Sequence, residues 1–213
     1  MKKSEKIIMA LSFLGILIPA FFGLAIWEKL PEKLPVHYNL EGVPDNFADK
    51  WVAVLLVPLF LFVLQAFCLV IDKKINKQSQ YSAATVLVIC PFLSIVIGLT
   101  TYLPVFELDV DMVSIILCAV GFLFVVIGNI MPKISRNKTM GIKIPWTLKS
   151  DVVWNKTHRL AGFLWFFGGI IIMIVAFLPT MVRFIGASVV FAAALAVPII
   201  YAAAVYKKEK QKW

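Results

Sequence analysis

Residues 112–131 read MVSIILCAVGFLFVVIGNIM, a run that contains no charged side chain. A helix needs about 20 apolar residues to cross a hydrocarbon core of about 30 Å, so this run predicts a transmembrane helix. Further apolar runs of similar length lie at about 7–27, 51–71, 83–103, 160–178 and 184–206. Long runs favour helices, because a helix satisfies its own backbone polar groups in lipid. The sequence therefore predicts an all-α integral membrane protein with six transmembrane helices.

The composition agrees with this fold class and excludes a soluble domain. The chain is 61% hydrophobic and 15% charged, with a mean hydropathy of +0.91, whereas soluble domains have roughly 25% charged residues. Its net charge of +9 does not predict direct nucleic-acid binding, because basic residues beside apolar runs usually set membrane orientation. Three cysteines, Cys68, Cys90 and Cys118, lie inside apolar runs without metal-ligand spacing, so neither a metal site nor a cofactor is predicted.

The distribution of Lys and Arg predicts which segments face the cytoplasm. Seventeen of the 21 lie in the N-terminal segment, the 72–82 loop, the 133–159 loop and the C-terminal tail. The remaining four are Lys29, Lys33, Lys50 and Arg183. The positive-inside rule then places both termini in the cytoplasm. The acids on the opposite, outer side are Glu28, Glu32, Glu41, Asp45, Asp49, Glu107, Asp109 and Asp111.

The outer loop, residues 28–50, reads EKLPEKLPVHYNLEGVPDNFADK. Pro31 and Pro35 favour an extended start, and the residues at 39–42 favour a turn. We therefore predict a structured, solvated cap. The residues predicted to hold it are Tyr38, Phe47 and Trp51.

The same loop carries three side chains that bear on its ligand. His37, Asp45 and Asp49 could gather a divalent cation, but the loop lacks the ligand pattern of an EF-hand, and metal binding is not predicted. The acidic surface instead suits a cationic partner that arrives from outside the cell.

The inner loop, residues 133–159, reads KISRNKTMGIKIPWTLKSDVVWNKTHR and carries seven basic residues against one acid, Asp151. Its first turn has donors that suit phosphate, but it lacks the GK[ST] sequence of a P-loop, so nucleotide binding is not predicted. Contact of Arg136, Lys138 and Lys143 with anionic lipid headgroups accounts for the charge.

A helix is predicted to begin inside this loop and to continue into the fifth membrane span. Thr147 or Ser150 can cap it, and Trp154 and His158, four residues apart, share one of its faces. His158 beside Arg159 suggests phosphoryl or acyl chemistry, yet no nucleophile–base–orienter set accompanies them. We therefore predict a structural role for His158 and no enzymatic activity; a membrane-surface enzyme that uses His158 and Arg159 stays an alternative.

The two loops contain two ordered strings of motif residues. In the inner loop they are 136–142, 145–148, Ser150, 153–154, 157–159 and Gly162. In the outer loop they are 30–31, 34–39, Gly42, Asp45 and 49–51. The inner string resembles the signature of the SdpI family. The outer string resembles the small N-terminal domain of unknown function that accompanies it, although Tyr38 stands in place of the more usual Trp and Phe47 in place of the more usual Tyr.

The resemblance implies a multi-pass immunity protein of the bacterial plasma membrane. The best-known family member protects cells from a secreted killing peptide of the sporulation-delay system. With that peptide present, it also holds an autorepressor at the membrane and so induces its own operon. For this chain we predict a two-helix unit with a structured extracellular loop, residues 1–82, and a four-helix unit with a basic cytoplasmic loop, residues 83–213.

Two sets of site residues follow from the loops and the resemblance. The cytoplasmic partner-binding set is Arg136, Asn137, Lys138, Thr139, Gly141, Pro145, Trp146, Trp154, His158 and Arg159. The extracellular toxin-facing set is His37, Tyr38, Asn39, Glu41, Asp45, Asp49 and Trp51. The predicted partners are a secreted toxin peptide outside, an autorepressor protein inside, and anionic lipid headgroups. A transporter of small molecules or peptides is a further alternative, but the spans offer few polar groups for a transport path.

Overall fold

The computed structural model describes residues 3–75, 80–108, 110–137 and 140–211. The helices and strands of this part of the chain are α1 Lys3–Ala25, β1 Lys33–Tyr38, β2 Pro44–Asp49, α2 Val57–Ile75, α3 Gln80–Tyr102, α4 Met112–Ile130, α5 Pro145–Lys149, α6 Asp151–Val175 and α7 Thr180–Lys210. Within these residues, six helical segments are long and apolar enough to cross a membrane. The predicted all-α membrane fold with six spans is therefore confirmed. Predicted site or loop residues outside the described ones are residues 76–79, Asp109, Lys138 and Thr139.

Two membrane helices extend beyond the apolar runs that predicted them. Helix α6 begins at Asp151, inside the inner loop, as predicted for the helix that continues into the fifth span, and the preceding Ser150 caps its first turn. Helix α7 has 31 residues, or roughly 46 Å at 1.5 Å per residue. That length exceeds a hydrocarbon core of about 30 Å, so α7 is long enough to project into the aqueous or headgroup region.

The outer loop forms an antiparallel β-hairpin, whereas its sequence predicts only a structured cap with an extended start followed by a turn. Strands β1 and β2 pair Lys33 with Asp49 and Leu34 with Ala48. In the turn, the Asn39 side-chain oxygen accepts hydrogen bonds from two backbone N–H groups, at 3.0 and 2.9 Å. The strands were missed because they lack the alternating β-branched pattern that identifies a half-buried strand.

The chain divides into two compact units, which are described separately. Unit 1 comprises Met1–Val70 with Val86–Ile116, and unit 2 comprises Ile71–Thr85 with Leu117–Trp213. These units are defined by packing; the division predicted at residue 82 stays a prediction.

In unit 1, helices α1 and α3 are joined by hydrogen bonds from side chains to backbone carbonyls. The Ser12 hydroxyl lies 2.7 Å from the Leu87 carbonyl oxygen, and the Ser94 hydroxyl donates to the Ile16 carbonyl at 2.7 Å. Near the hairpin, a buried cluster connects the outer loop to the helix ends. Its members are Leu30, Leu34, Ala53, Val54 and Tyr102.

In unit 2, helices α4 and α6 approach each other at backbone distance. Glycines occupy the contact on both helices: Gly121, Gly128, Gly162 and Gly169. Small residues allow such close approach, which supplies much of the packing between membrane helices. On the neighbouring face, Phe124 stacks on Trp165 with ring centroids 4.6 Å apart, and the Trp165 indole N–H donates to the Ala194 carbonyl of α7 at 3.0 Å.

Candidate functional site

The inner platform, residues 134–137 and 140–159, comprises the turns of the inner loop and the first turns of α6 in unit 2. The Ser150 hydroxyl oxygen accepts from the backbone N–H of Val153 at 3.3 Å and so caps α6, as its residue type predicts. The same hydroxyl lies 2.7 Å from a carboxylate oxygen of Glu209, to which it donates. Because Glu209 lies at the C-terminal end of α7, this hydrogen bond connects the start of α6 to the end of α7.

Trp154 and His158 form the buried centre of the inner platform, with exposed fractions of 0% and 1%. Their rings stack with centroids 4.0 Å apart and an interplanar angle of 18°, in agreement with the face that their spacing predicts. The Trp154 indole N–H donates to the carbonyl of Ile134 at 2.7 Å. This contact holds the beginning of the platform against α6.

Both ring nitrogens of His158 are used inside the platform. Nε2 accepts from the backbone N–H of Ile142 at 3.0 Å, and Nδ1 lies 2.9 Å from the carbonyl oxygen of Trp154. A carbonyl can only accept, so Nδ1 carries the proton and His158 is the neutral Nδ1–H tautomer. Neither nitrogen is left to transfer a proton to a substrate, which gives the enzyme alternative no support.

Gly141 allows the platform turn to lie against these two rings. Its φ of 114° is a conformation that favours glycine. A Cβ atom at this position would lie 3.0 Å from the Trp154 ring and closer still to Nε2 of His158. The turn therefore requires glycine both for its backbone and for its contact.

Arg136 and Thr147 hold the remaining turns in place. The Arg136 Nε lies 2.8 Å from one carboxylate oxygen of Asp151, and a terminal nitrogen lies 3.3 Å from the other. The second terminal nitrogen donates to the Leu148 carbonyl at 2.8 Å. The buried Thr147 hydroxyl donates to the Ile142 carbonyl at 2.6 Å. Arg136 thus contacts its own platform as well as facing outward.

The structure separates the predicted partner-binding residues by exposure. The buried members are Trp154 and His158, and the half-buried members are Asn137, Gly141 and Trp146. The exposed members are Arg136, Pro145 and Arg159. The buried pair supports the platform from beneath, and the exposed residues are the accessible members of the predicted set.

Arg136 and Arg159 are two of six exposed basic residues between positions 133 and 159, a set that we call the cationic face. Its members are Lys133, Arg136, Lys143, Lys149, Lys156 and Arg159. Two apolar side chains, Leu148 and Val152, are also exposed on the same stretch. A surface of this kind suits a partner that combines negative charge with apolar side chains.

The predicted toxin-facing residues lie on the hairpin or directly after it, in unit 1. The exposed members are His37, Glu41, Asp45, Asp49 and Trp51, and the half-buried ones are Tyr38 and Asn39. The Tyr38 hydroxyl donates to the Thr100 carbonyl at 2.5 Å and so attaches the hairpin to the end of α3. Burial raises the pKa of the Tyr38 phenol, which therefore keeps its proton at neutral pH.

The side chains of His37, Asp45 and Asp49, which were considered as ligands of a divalent cation, do not form a three-ligand group. His37 Nδ1 contacts an Asp45 carboxylate oxygen at 2.5 Å. Among the described residues, however, no group of three or more His, Cys, Asp or Glu side chains is placed to hold a metal ion.

Glu209 was missed by sequence reasoning. It lies in the tail segment KKEK, where a single acid among lysines is typical of a solvated helix end. Its contact with Ser150 joins residues 59 positions apart, and no local pattern indicates such a pair.

The fold and the site define a multi-pass membrane protein with an outer hairpin and a basic inner platform. Residues 133–202 match the SdpI/YfhL protein family, and residues 14–62 match a domain of unknown function (DUF1648). Each match contains one of the two loops, so the resemblance predicted from these loops is confirmed.

A curated relative aligns with most of the chain. The chain is 27% identical to the immunity protein SdpI of Bacillus subtilis (strain 168) over 174 residues, which cover 80% of this chain and 79% of the relative. No solved structure matches the chain significantly.

Proposed function

We propose that this chain is a membrane immunity protein that protects a bacterial cell from a secreted killing peptide. The observation that carries the proposal is the similarity to an immunity protein across 80% of the chain. The two matched family segments, 14–62 and 133–202, contain the whole outer loop and the whole inner platform. These two regions are therefore where the proposed function is assigned.

On the outer side, the hairpin is proposed to meet the peptide. Its exposed acids, Glu41, Asp45 and Asp49, attract a cationic peptide before contact. Exposed apolar side chains on the same hairpin, among them Leu40 and Val43, suit the apolar face of an amphipathic peptide. Charge and apolar surface together favour a cationic, amphipathic ligand.

Protection is tested by expression of the chain in a host that the sporulation-delay killing peptide kills. We expect the peptide concentration that kills half of the cells to rise at least tenfold. The role of the hairpin acids is tested by the triple variant Glu41→Gln, Asp45→Asn, Asp49→Asn, which keeps the size of each side chain but removes its charge. It should lose most of this protection at equal expression. Unchanged killing of cells with good expression of the native chain would disprove the immunity function.

On the inner side, the cationic face is proposed to hold an acidic cytoplasmic partner such as an autorepressor. The platform beneath it is fixed by the buried Trp154–His158 stack and by the Arg136–Asp151 pair. Lys156 and Arg159 are exposed on α6. Neither takes part in the hydrogen bonds and the ion pair described above that fix the platform. They can therefore be changed with little expected effect on the platform.

We expect Lys156→Glu with Arg159→Glu to abolish peptide-dependent induction of a reporter fused to the chain's own promoter. Reversal of two charges replaces attraction of an acidic partner by repulsion. Protection should persist, because the outer hairpin is unchanged. The matched control is Lys29→Glu with Lys33→Glu on the opposite side, which should leave induction intact. Persistent induction in the Lys156/Arg159 variant would show that the partner binds elsewhere.

A further inference from the structure

Gln65 is a polar side chain placed inside the apolar span Val52–Asp72 of unit 1. It lies seven residues before Asp72, or roughly 10 Å along the helix from that end. Its exposed fraction is 0%. Polar side chains at this depth are unfavourable unless they are hydrogen-bonded, so the partners of the carboxamide decide its role.

The carboxamide of Gln65 is only half satisfied. Its Oε1 lies 3.1 Å from the Ser12 hydroxyl, but that hydroxyl has one proton and lies closer, at 2.7 Å, to the Leu87 carbonyl. Its Nε2 is buried and has no hydrogen-bond partner among the described residues. Exchange of the amide oxygen and nitrogen would let the nitrogen donate to Ser12 and would leave the oxygen without a donor. In either orientation one polar atom of Gln65 is unpaired.

The other buried hydrogen bonds of this unit serve the packing of α1 on α3. Ser94 and Tyr102 of α3 donate to the carbonyls of Ile16 and Pro19 at 2.7 and 3.0 Å. Gln65, on α2, is not part of that set. The backbone before α2 is π-helical over Val52–Leu56, an irregularity that is frequent at functional sites. Helix α2 is therefore the element of unit 1 that combines an irregular start with an unpaired buried donor.

We propose that Gln65 is a binding group for an amide of a membrane-inserted peptide. A carboxamide offers one donor and one acceptor side by side, and a peptide amide offers the complementary pair. Neither an ammonium group nor a lipid phosphodiester provides both. Displacement of α2 from the α1–α3 pair exposes the carboxamide to such a peptide within the bilayer. This inference rests on the proposed immunity function and assigns it a recognition residue at membrane depth.

The test is Gln65→Leu in the full chain, with the sporulation-delay killing peptide as the probe. Leu has a similar size and no polar atom to leave unpaired, so the melting temperature of the purified protein in detergent is expected to rise by roughly 2–4 °C. The peptide concentration that kills half of the cells should fall at least tenfold, towards that of cells without the chain. The matched control is Ser94→Ala, which removes a buried hydrogen bond of the α1–α3 pair. It should lower the melting temperature and keep protection.

Each alternative result has a separate meaning. Full protection by Gln65→Leu would overturn the recognition role. A lowered melting temperature would overturn it as well, because the amide would then stabilise the resting fold. Absence of protection by the native chain would instead disprove the immunity function, and this inference with it.

Discussion

Gly128→Ala is expected to disrupt the packing of α4 on α6 and to lower the melting temperature by roughly 6–12 °C, equivalent to roughly 3 kcal/mol or more. A Cβ atom on Gly128 would lie 2.8 Å from the Gly162 carbonyl oxygen and 2.9 Å from the Phe166 Cα atom. Both are backbone atoms, so a change of side-chain rotamer cannot relieve the overlap. The two helices would have to separate, and the close packing along their whole contact would be lost.

The measurement is the loss of monodisperse protein on size-exclusion chromatography after heating in detergent. Gly186→Ala is the matched control, because its new Cβ atom would lie 3.4 Å or more from Val175, an ordinary contact distance. This control also replaces glycine by alanine inside a membrane helix. The melting temperature of the Gly186→Ala variant should stay within roughly 2 °C of the native value. Equal melting temperatures for Gly128→Ala and the native chain would contradict the close approach of α4 and α6.

Gly141→Ala is expected to release the inner-loop turns of the platform from α6. The backbone conformation at this position is strained for alanine by roughly 1–3 kcal/mol, and overlap with the Trp154 and His158 rings adds roughly 1–3 kcal/mol. The hydrogen bond from the Ile142 N–H to His158 would be broken when the turn moves away. Since 1.4 kcal/mol is a factor of ten, local opening should increase more than tenfold.

Opening of the platform is measured by trypsin, which cleaves after the Lys and Arg residues of the cationic face. In inside-out membrane vesicles, the cleavage rate within residues 133–159 should rise more than tenfold for Gly141→Ala. The matched control is Gly42→Ala in the outer hairpin, which also has a positive φ, 82°, but whose new Cβ atom would lie 3.6 Å from Val113. It should leave inner-loop cleavage unchanged. Cleavage of Gly141→Ala at the native rate would refute the role given to Gly141.

The membrane helices could be predicted because their signal is local. Each span is a continuous run of apolar residues, and a lipid environment admits few structures other than helices for such runs. The cap at Ser150 and the shared face of Trp154 and His158 were predictable for the same reason. Capping and the four-residue helical repeat involve neighbours within one or two turns.

The hairpin and the partners of the site residues could not be predicted in this way. The Ile134 carbonyl receives the Trp154 indole N–H from 20 residues away, and Glu209 receives the Ser150 hydroxyl from 59 residues away. Gln65 was overlooked because a neutral amide barely changes the hydropathy of its span. Only its burial beside a hydroxyl that is committed to Leu87 makes it unusual.

The amino-acid sequence by itself determined the solvent, the number of spans and the basic character of the inner loop, because these depend on composition summed along the chain. The tertiary structure decided which of the loop's residues are surface and which are support. Trp154 and His158 have the residue types of a binding site, yet they are buried against Gly141, whereas the charged side chains of Lys156 and Arg159 are exposed. The physical reason is that burial and hydrogen-bond pairing depend on segments that are distant in sequence and meet only in the folded chain.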